Sequence, residues 1–209
     1  MKTFRHLILS FVAVLMTLPL AAQNGGLSES GKFKPRFSVG FDFTPEWCLS
    51  QKGSIDDSDP GNRFYPTFGV NFQAQLSRRD GVEVGVYYRG ISQQLRERHD
   101  FVWRNRSVSA RLLYRFYSRI FDVSAGFNAD FNISSQKQSG GGAIIAYDDG
   151  RNLYGFVLRF SKDIPLYRGL ILQPEIHVNP CIGDDGSGHD KITYRGTFLG
   201  CGVGLKYRF

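Results

Sequence analysis

A chain of 209 residues with 42% hydrophobic and 22% charged residues has the size and make-up of one folded domain, which excludes a disordered tail and a multi-domain enzyme. Its 24 glycines and 14% aromatics are high, and a mean hydropathy of −0.25 with a single apolar run excludes a helical membrane protein with several spans. The formal charge of +7 is too modest to indicate nucleic acid for an exported chain, and three cysteines without C-x-x-C spacing exclude a disulfide-stapled miniprotein and argue against a zinc site.

The apolar run comes first. Lys2 and Arg5 precede Leu7 to Leu20, a stretch with the length of a signal-peptide core and too short for a comfortable span, and the small residues Ala21 and Ala22 follow. Residues 1–22 are therefore expected to be a signal peptide cleaved after Ala22, a loss that lowers the formal charge by two. Lipidation of a new N-terminal cysteine is not expected, because the first cysteine is Cys48. Residues 23–36 read as a short polar leader.

From residue 37 to residue 209 the hydrophobic period is two. The first apolar row is Phe37, Val39, Phe41 and Phe43, and the second is Phe68, Val70, Phe72, Ala74 and Leu76. Val82, Val84, Val86 and Tyr88 make the third, and Val108, Ala110, Leu112, Tyr114 and Phe116 the fourth. The fifth runs through Phe121, Val123, Ala125, Phe127, Ala129, Phe131 and Ile133, and the sixth is Tyr154, Phe156, Leu158 and Phe160. Leu170, Leu172, Pro174, Ile176 and Val178 form the seventh, and Leu199, Cys201, Val203, Leu205, Tyr207 and Phe209 the eighth.

Alternation alone is shared by a soluble sandwich and a barrel, and the content of the two faces separates them. None of the eight apolar rows carries a charge, as a lipid-facing surface requires. Asp42, Glu83, Arg89, Arg111, Arg115, Asp122, Asp130, Arg159, Glu175, Lys206 and Arg208 share the opposite face with many glycines, where mixed charges can neutralise one another in a small lumen. The connections alternate in length. Long polar stretches are expected at residues 47–63, 134–152 and 179–196, with a shorter one at 96–100; tight turns are expected at 78–81 and 117–120, and a moderate one at 163–169. Outer-membrane barrels have this asymmetry, with short periplasmic turns and longer outer loops, and closure removes exposed sheet edges. An all-β, eight-stranded antiparallel up-and-down transmembrane barrel over residues 37–209 is the expected fold.

The signal peptide, the eight rows and the terminal Tyr207-Arg208-Phe209 resemble the small outer-membrane β-barrel family, related in architecture to the OmpA transmembrane domain. The likeness spans nearly the whole mature chain. Its most specific element is the last strand, where Gly204, Tyr207 and Phe209 are similar to the family's terminal assembly signal. The resemblance implies the cell outer membrane, contact with its lipid and lipopolysaccharide, passage through the outer-membrane assembly machinery, and a monomer. No periplasmic peptidoglycan-binding domain is expected after Phe209, so a cell-wall anchoring role is not carried over.

Eight strands leave a lumen that side chains can fill, so a structural or interaction role is expected rather than an open pore. The alternative readings are a narrow pore and a lipid-modifying acyl hydrolase, an activity that exists on this scaffold. His177 shares its face with Glu175 as a conceivable base and orienter, but no serine is expected beside it, since pairing places it opposite Gly155 on one side and near Leu199 and Gly200 on the other. Catalytic residues, a cofactor and a metal are not called for. Asp56, Asp57, Asp59, Asp148, Asp149, Asp184, Asp185 and Asp190 read as solvated loop tips, with no EF-hand spacing. Arg96, Arg98, Arg104 and Arg106 around the second loop are candidate contacts for lipopolysaccharide phosphates, which arginine binds bidentately. Cys48 and Cys181 are both expected at the outer rim and are candidates for a disulfide, while Cys201 should face lipid.

Overall fold

The computed structural model describes residues 33–52, 64–94, 101–139, 144–146, 152–184 and 195–209. The chain forms a closed, all-antiparallel barrel of eight strands, built from twelve segments. The first barrel strand is β1 (Arg36–Phe43) continued by β2 (Glu46–Lys52), and the second is β3 (Phe64–Tyr65) continued by β4 (Thr67–Gln75). The third, fourth and fifth are β5 (Asp80–Gln94), β6 (Phe101–Phe116) and β7 (Asp122–Ser139), the last extended by the short partner β8 (Ile144–Ala146). The sixth is β9 (Leu153–Ser161) continued by β10 (Ile164–Tyr167), the seventh β11 (Leu170–Asp184) and the eighth β12 (Arg195–Arg208). Each pairs with its sequence neighbour. Closure comes from β12, which pairs with β1 from Ser38 opposite Arg208 to Phe43 opposite Val203, and with β2 from Glu46 opposite Gly200 onward.

Register carries the two faces through the whole wall, because opposed residues on paired strands point the same way. Val39, Phe41, Val70, Leu112, Phe127, Phe156, Ile176 and Leu205 are all exposed on the outside. Serines, glycines and charged residues on the alternate positions are buried inside. Aromatic contacts knit the outer surface across neighbouring strands: Phe127 and Phe156 lie 4.8 Å apart between ring centroids, and Phe68 and Tyr88 5.2 Å. Phe72 departs from its row. It is 8% exposed because the Phe37 ring stacks on it at 5.9 Å.

The segments reach further than the apolar rows. The stretch expected as the first long loop begins with β2, because the ladder is interrupted only at Thr44 and Pro45 and pairing then resumes in the same register at Glu46. β7 likewise runs on to Ser139, and β11 and β12 reach Asp184 and Arg195, so part of the expected third and fourth loops is strand. The moderate turn expected at 163–169 is mostly β10. The reversal itself takes two residues, Arg168 and Gly169, with φ of 42° and 85°, the pair of left-handed conformations that a tight hairpin matched to strand twist requires. Three short connections thus lie at one end of the barrel with the paired ends of β1 and β12, and four longer ones lie at the other.

Candidate functional site

The lumen holds the concentration of chemistry in this chain. Near the long-loop end, Glu46 is a hub. Its Oε1 accepts from Arg111 Nη2 at 2.9 Å and lies 2.9 Å from His177 Nε2, and Arg89 Nη2 sits 2.6 Å from Oε2 as an ion pair outside aligned hydrogen-bond geometry. Arg89 also donates to Asp130 at 2.7 Å, and its guanidinium lies 3.9 Å from the centroid of Phe198. Arg111 lies 4.4 Å over the Tyr87 ring. Cations over aromatic faces gain from the ring quadrupole, most of all where water is excluded.

The middle of the barrel continues the pairing. His177 Nδ1 is 3.7 Å from Glu175 Oε1, which accepts from Thr44 Oγ1 at 2.8 Å. Arg159 lies 3.4 Å from Glu175 and donates to Glu83, and Glu83 also accepts from Gln73 Nε2 at 2.5 Å. Asp42 accepts from Asn71 Nδ2 at 2.5 Å and from the Tyr87 hydroxyl at 2.9 Å. Lys206 is buried beside Asp42 and Glu83 without a hydrogen-bond partner among the described residues, and the positive charges of Arg115 and Arg159 oppose it.

At the short-turn end Arg115 donates to Gln73 at 2.7 Å and to Asp122 and Asp163 at 2.8 Å each. Arg208 donates to the other oxygen of Asp163 at 2.8 Å. Asp163 stands between β9 and β10 at the mouth of the barrel. Burial alone would raise its pKa, but the positive charges of Arg115, Lys206 and Arg208 outweigh this and hold the carboxyl below the usual aspartate range.

All eleven charges assigned to the lumen from the sequence face inward, and ten of them are buried; Arg208, at the rim, is the partly exposed one. Two further members were missed. Glu46 follows Pro45 and precedes what reads as a loop, and Asp163 sits in what reads as a turn. Only the resumption of alternation after Pro45, with Glu46 in phase with Asp42 and Thr44, could have signalled the first. His177 also faces inward, but it opposes Arg159 rather than Gly155, because the hairpin turns at Arg168–Gly169; its other neighbour, Gly200, is as expected. Gly200 is needed there, since a Cβ would meet His177 Cε1 and Nε2 at 2.5 Å.

This arrangement can bind the wall together. Each buried charge has been taken out of water, a cost that is offset only when ion pairs and hydrogen bonds satisfy it, and a continuous chain of contacts runs from Asp163 to Asp130. It is poorly suited to catalysis: the His177 ring is fully buried, its carboxylate neighbours are held by arginines, and the residues opposite it are Arg159 and Gly200. Among the described residues no group of three or more His, Cys, Asp or Glu is arranged to hold a metal ion.

No family model matches the chain, and no curated protein matches it. Its architecture is similar to solved structures of outer-membrane proteins. AlkL in lipid bilayers aligns at a TM-score of 0.51 with 10% identity, covering 89% of this chain and 95% of that one. A major outer membrane protein from Thermus thermophilus aligns at 0.51 with 16% identity, over 85% and 100%. OprG from Pseudomonas aeruginosa aligns at 0.50 with 11% identity, over 85% and 98%. The fold is that of the small eight-stranded outer-membrane β-barrels. At such identities the likeness is one of fold, and the inward charges are described from this barrel's own contacts.

The remaining sequence expectations concern the loops and the cysteines. Arg96 and Arg98 lie outside the described residues, as do the loop aspartates 56, 57, 59, 148, 149, 185 and 190. Arg104 and Arg106 are on β6, and Arg106 is exposed. The disulfide expectation meets a topological obstacle. Cys48 pairs across to Phe198 of β12, and Phe198 on its other side opposes Asn179 of β11, so β12 stands between Cys48 and Cys181. Two strand spacings amount to about 9–10 Å, beyond the roughly 7 Å that a disulfide can bridge between Cα atoms. Cys201 is exposed on the outer face, as expected.

Proposed function

We propose that this chain is an integral outer-membrane protein with a structural or interaction role, whose binding surface lies in the extracellular loops on a barrel with a closed lumen. The observation that carries this reading is the combination of an uncharged, aromatic outer band with an interior in which the charges are buried and, Lys206 apart, held by ion pairs or hydrogen bonds. Soluble proteins rarely expose so continuous an apolar surface, and lipid is the solvent that suits it. The longer connections then face the exterior and the short turns the periplasm.

On this reading residues 1–22 direct export, Gly204, Tyr207 and Phe209 serve the assembly machinery, and the barrel works as a monomer. Arg96, Arg98, Arg104 and Arg106 contact lipopolysaccharide phosphates, a role supported by the exposure of Arg106 at the rim and by the fork geometry of guanidinium. Outer-membrane fractionation with heat-modifiable gel migration tests the membrane reading, and wild-type protein found soluble in the periplasm refutes it. Planar-bilayer recording tests the closed lumen; nanosiemens currents through purified protein refute that part. Replacing the four arginines with glutamine should weaken binding to lipopolysaccharide vesicles, and undiminished binding would remove them from the contact.

A further inference from the structure

The end of the barrel with the short turns repeats one pattern at each of its four corners. Between β4 and β5, exposed Leu76 stands beside exposed Arg78 and Arg79. Between β6 and β7, Ile120, 78% exposed, follows exposed Arg119. At the β10–β11 hairpin the Arg168 guanidinium lies 5.0 Å from the centroid of exposed Tyr167. Where β1 meets β12, exposed Arg36 lies near exposed Phe209, whose backbone N donates to Phe37 O at 3.0 Å. Every corner thus joins an apolar anchor to a cation.

The acids of this rim are already engaged. Asp80 accepts from Ser77 Oγ and from the Tyr114 hydroxyl, Asp122 from Arg115, and Asp163 from Arg115 and Arg208. Asp122 and Asp163 are thus matched by arginines, whereas Asp80 keeps its charge beside Arg79; with Arg36, Arg78, Arg79, Arg119 and Arg168 exposed, the surplus charge at this end among the described side chains is positive. We propose that the rim is a ring-shaped binding site for anionic phospholipid headgroups of the leaflet at the short-turn end, with the apolar side chains seated in the acyl region and the guanidinium groups on phosphate. Lipid fits better than a protein partner because the pattern recurs around the whole circumference and its apolar members are set at the membrane boundary. Guanidinium takes phosphate oxygens bidentately, and one cation near an anionic surface is worth about a fivefold preference.

The inference rests on the membrane reading above, and the experiment separates the two. Wild type and the R78Q/R79Q/R119Q/R168Q variant are reconstituted into phosphatidylcholine vesicles with a minor fraction of phosphatidylglycerol, extracted as nanodiscs, and the retained lipid is quantified by mass spectrometry at low and high salt. Both proteins should give the compact unheated gel band. Wild type should retain phosphatidylglycerol severalfold above its bulk share, with loss at high salt, and the variant should fall toward the bulk share. Equal enrichment in the two proteins, or none in wild type, overturns the ring. Retention of wild type on purified peptidoglycan without a preference for anionic lipid reassigns the rim to the cell wall and also overturns it. Failure of wild type to insert into these vesicles overturns the membrane reading itself.

Discussion

Removal of the Glu46 carboxylate is the sharpest test of the lumen. The side chain is fully buried, and among the described residues it is the one ion-pair partner of Arg111, whereas Arg89 keeps Asp130 at 2.7 Å. In Glu46→Ala the Arg111 guanidinium retains only the Tyr87 ring, 4.4 Å away, so one buried cation is left uncompensated. Breaking a buried pair in this way costs about 3–5 kcal/mol, a large share of the roughly 5–15 kcal/mol that holds a typical domain folded. Urea titration in lipid vesicles, followed by the fraction running as the compact unheated band, should show that loss in the midpoint. Glu46→Ala combined with Arg111→Met removes both ends of the pair and should be less destabilised than the two single changes added together, by about 1–3 kcal/mol. An unchanged midpoint in Glu46→Ala, or additivity within about 0.5 kcal/mol, would refute the claim that the lumen charges hold the wall together.

Leu205→Arg puts a charge in the outward row of β12 one step in from Tyr207 at the short-turn rim, so its cost should fall below the roughly 2–4 kcal/mol of a midplane arginine, toward about 1 kcal/mol, read as a reduced compact band in outer-membrane fractions, while deletion of Phe209 should lower assembly yield. Gly200→Ala should push the His177 ring off Glu46 and lower the urea midpoint, whereas the same change at Gly90, where a Cβ meets nothing within 4 Å, should not. Asp163 has a depressed pKa in the folded state, so its contribution is complete above the ordinary aspartate value of about 3.9 and is lost as pH falls through the lower folded value. Wild type should therefore lose more stability below about pH 4 than Asp163→Asn, measured as urea midpoints across that range; parallel pH profiles would sink this assignment.

The wall of the barrel was legible because lipid tolerates no charge and a strand allows only two directions. Arg111 and Leu112, or Asp130 and Phe131, can each point just one way once their neighbours are set, so parity alone placed eleven lumen charges. Partnership was not legible in that way. Which arginine meets which carboxylate depends on stagger between strands, and one misplaced turn moved the neighbour of His177 from Gly155 to Arg159. Glu46 was lost for a related reason: a proline usually ends a run, and here the ladder is interrupted only at Thr44 and Pro45 before pairing resumes. Phe72 shows the converse, a residue on the correct face that its neighbour Phe37 covers.

The contacts inside the lumen also join parts of the chain that are far apart. Thr44 and Glu175, like His177 and Glu46, are 131 positions from each other, and Arg159 and Glu83 are 76 apart. An incomplete sheet, still open along one edge, would leave those carboxylates and guanidinium groups facing hydrocarbon or water without their mates. On the membrane reading, a half-built sheet would be a costly intermediate inside the bilayer. On the membrane reading proposed above, entry into the membrane and closure of the seam between residues 38 and 208 are expected to advance together. On that reading the hidden charges favour, at the membrane, a chain whose ends have met.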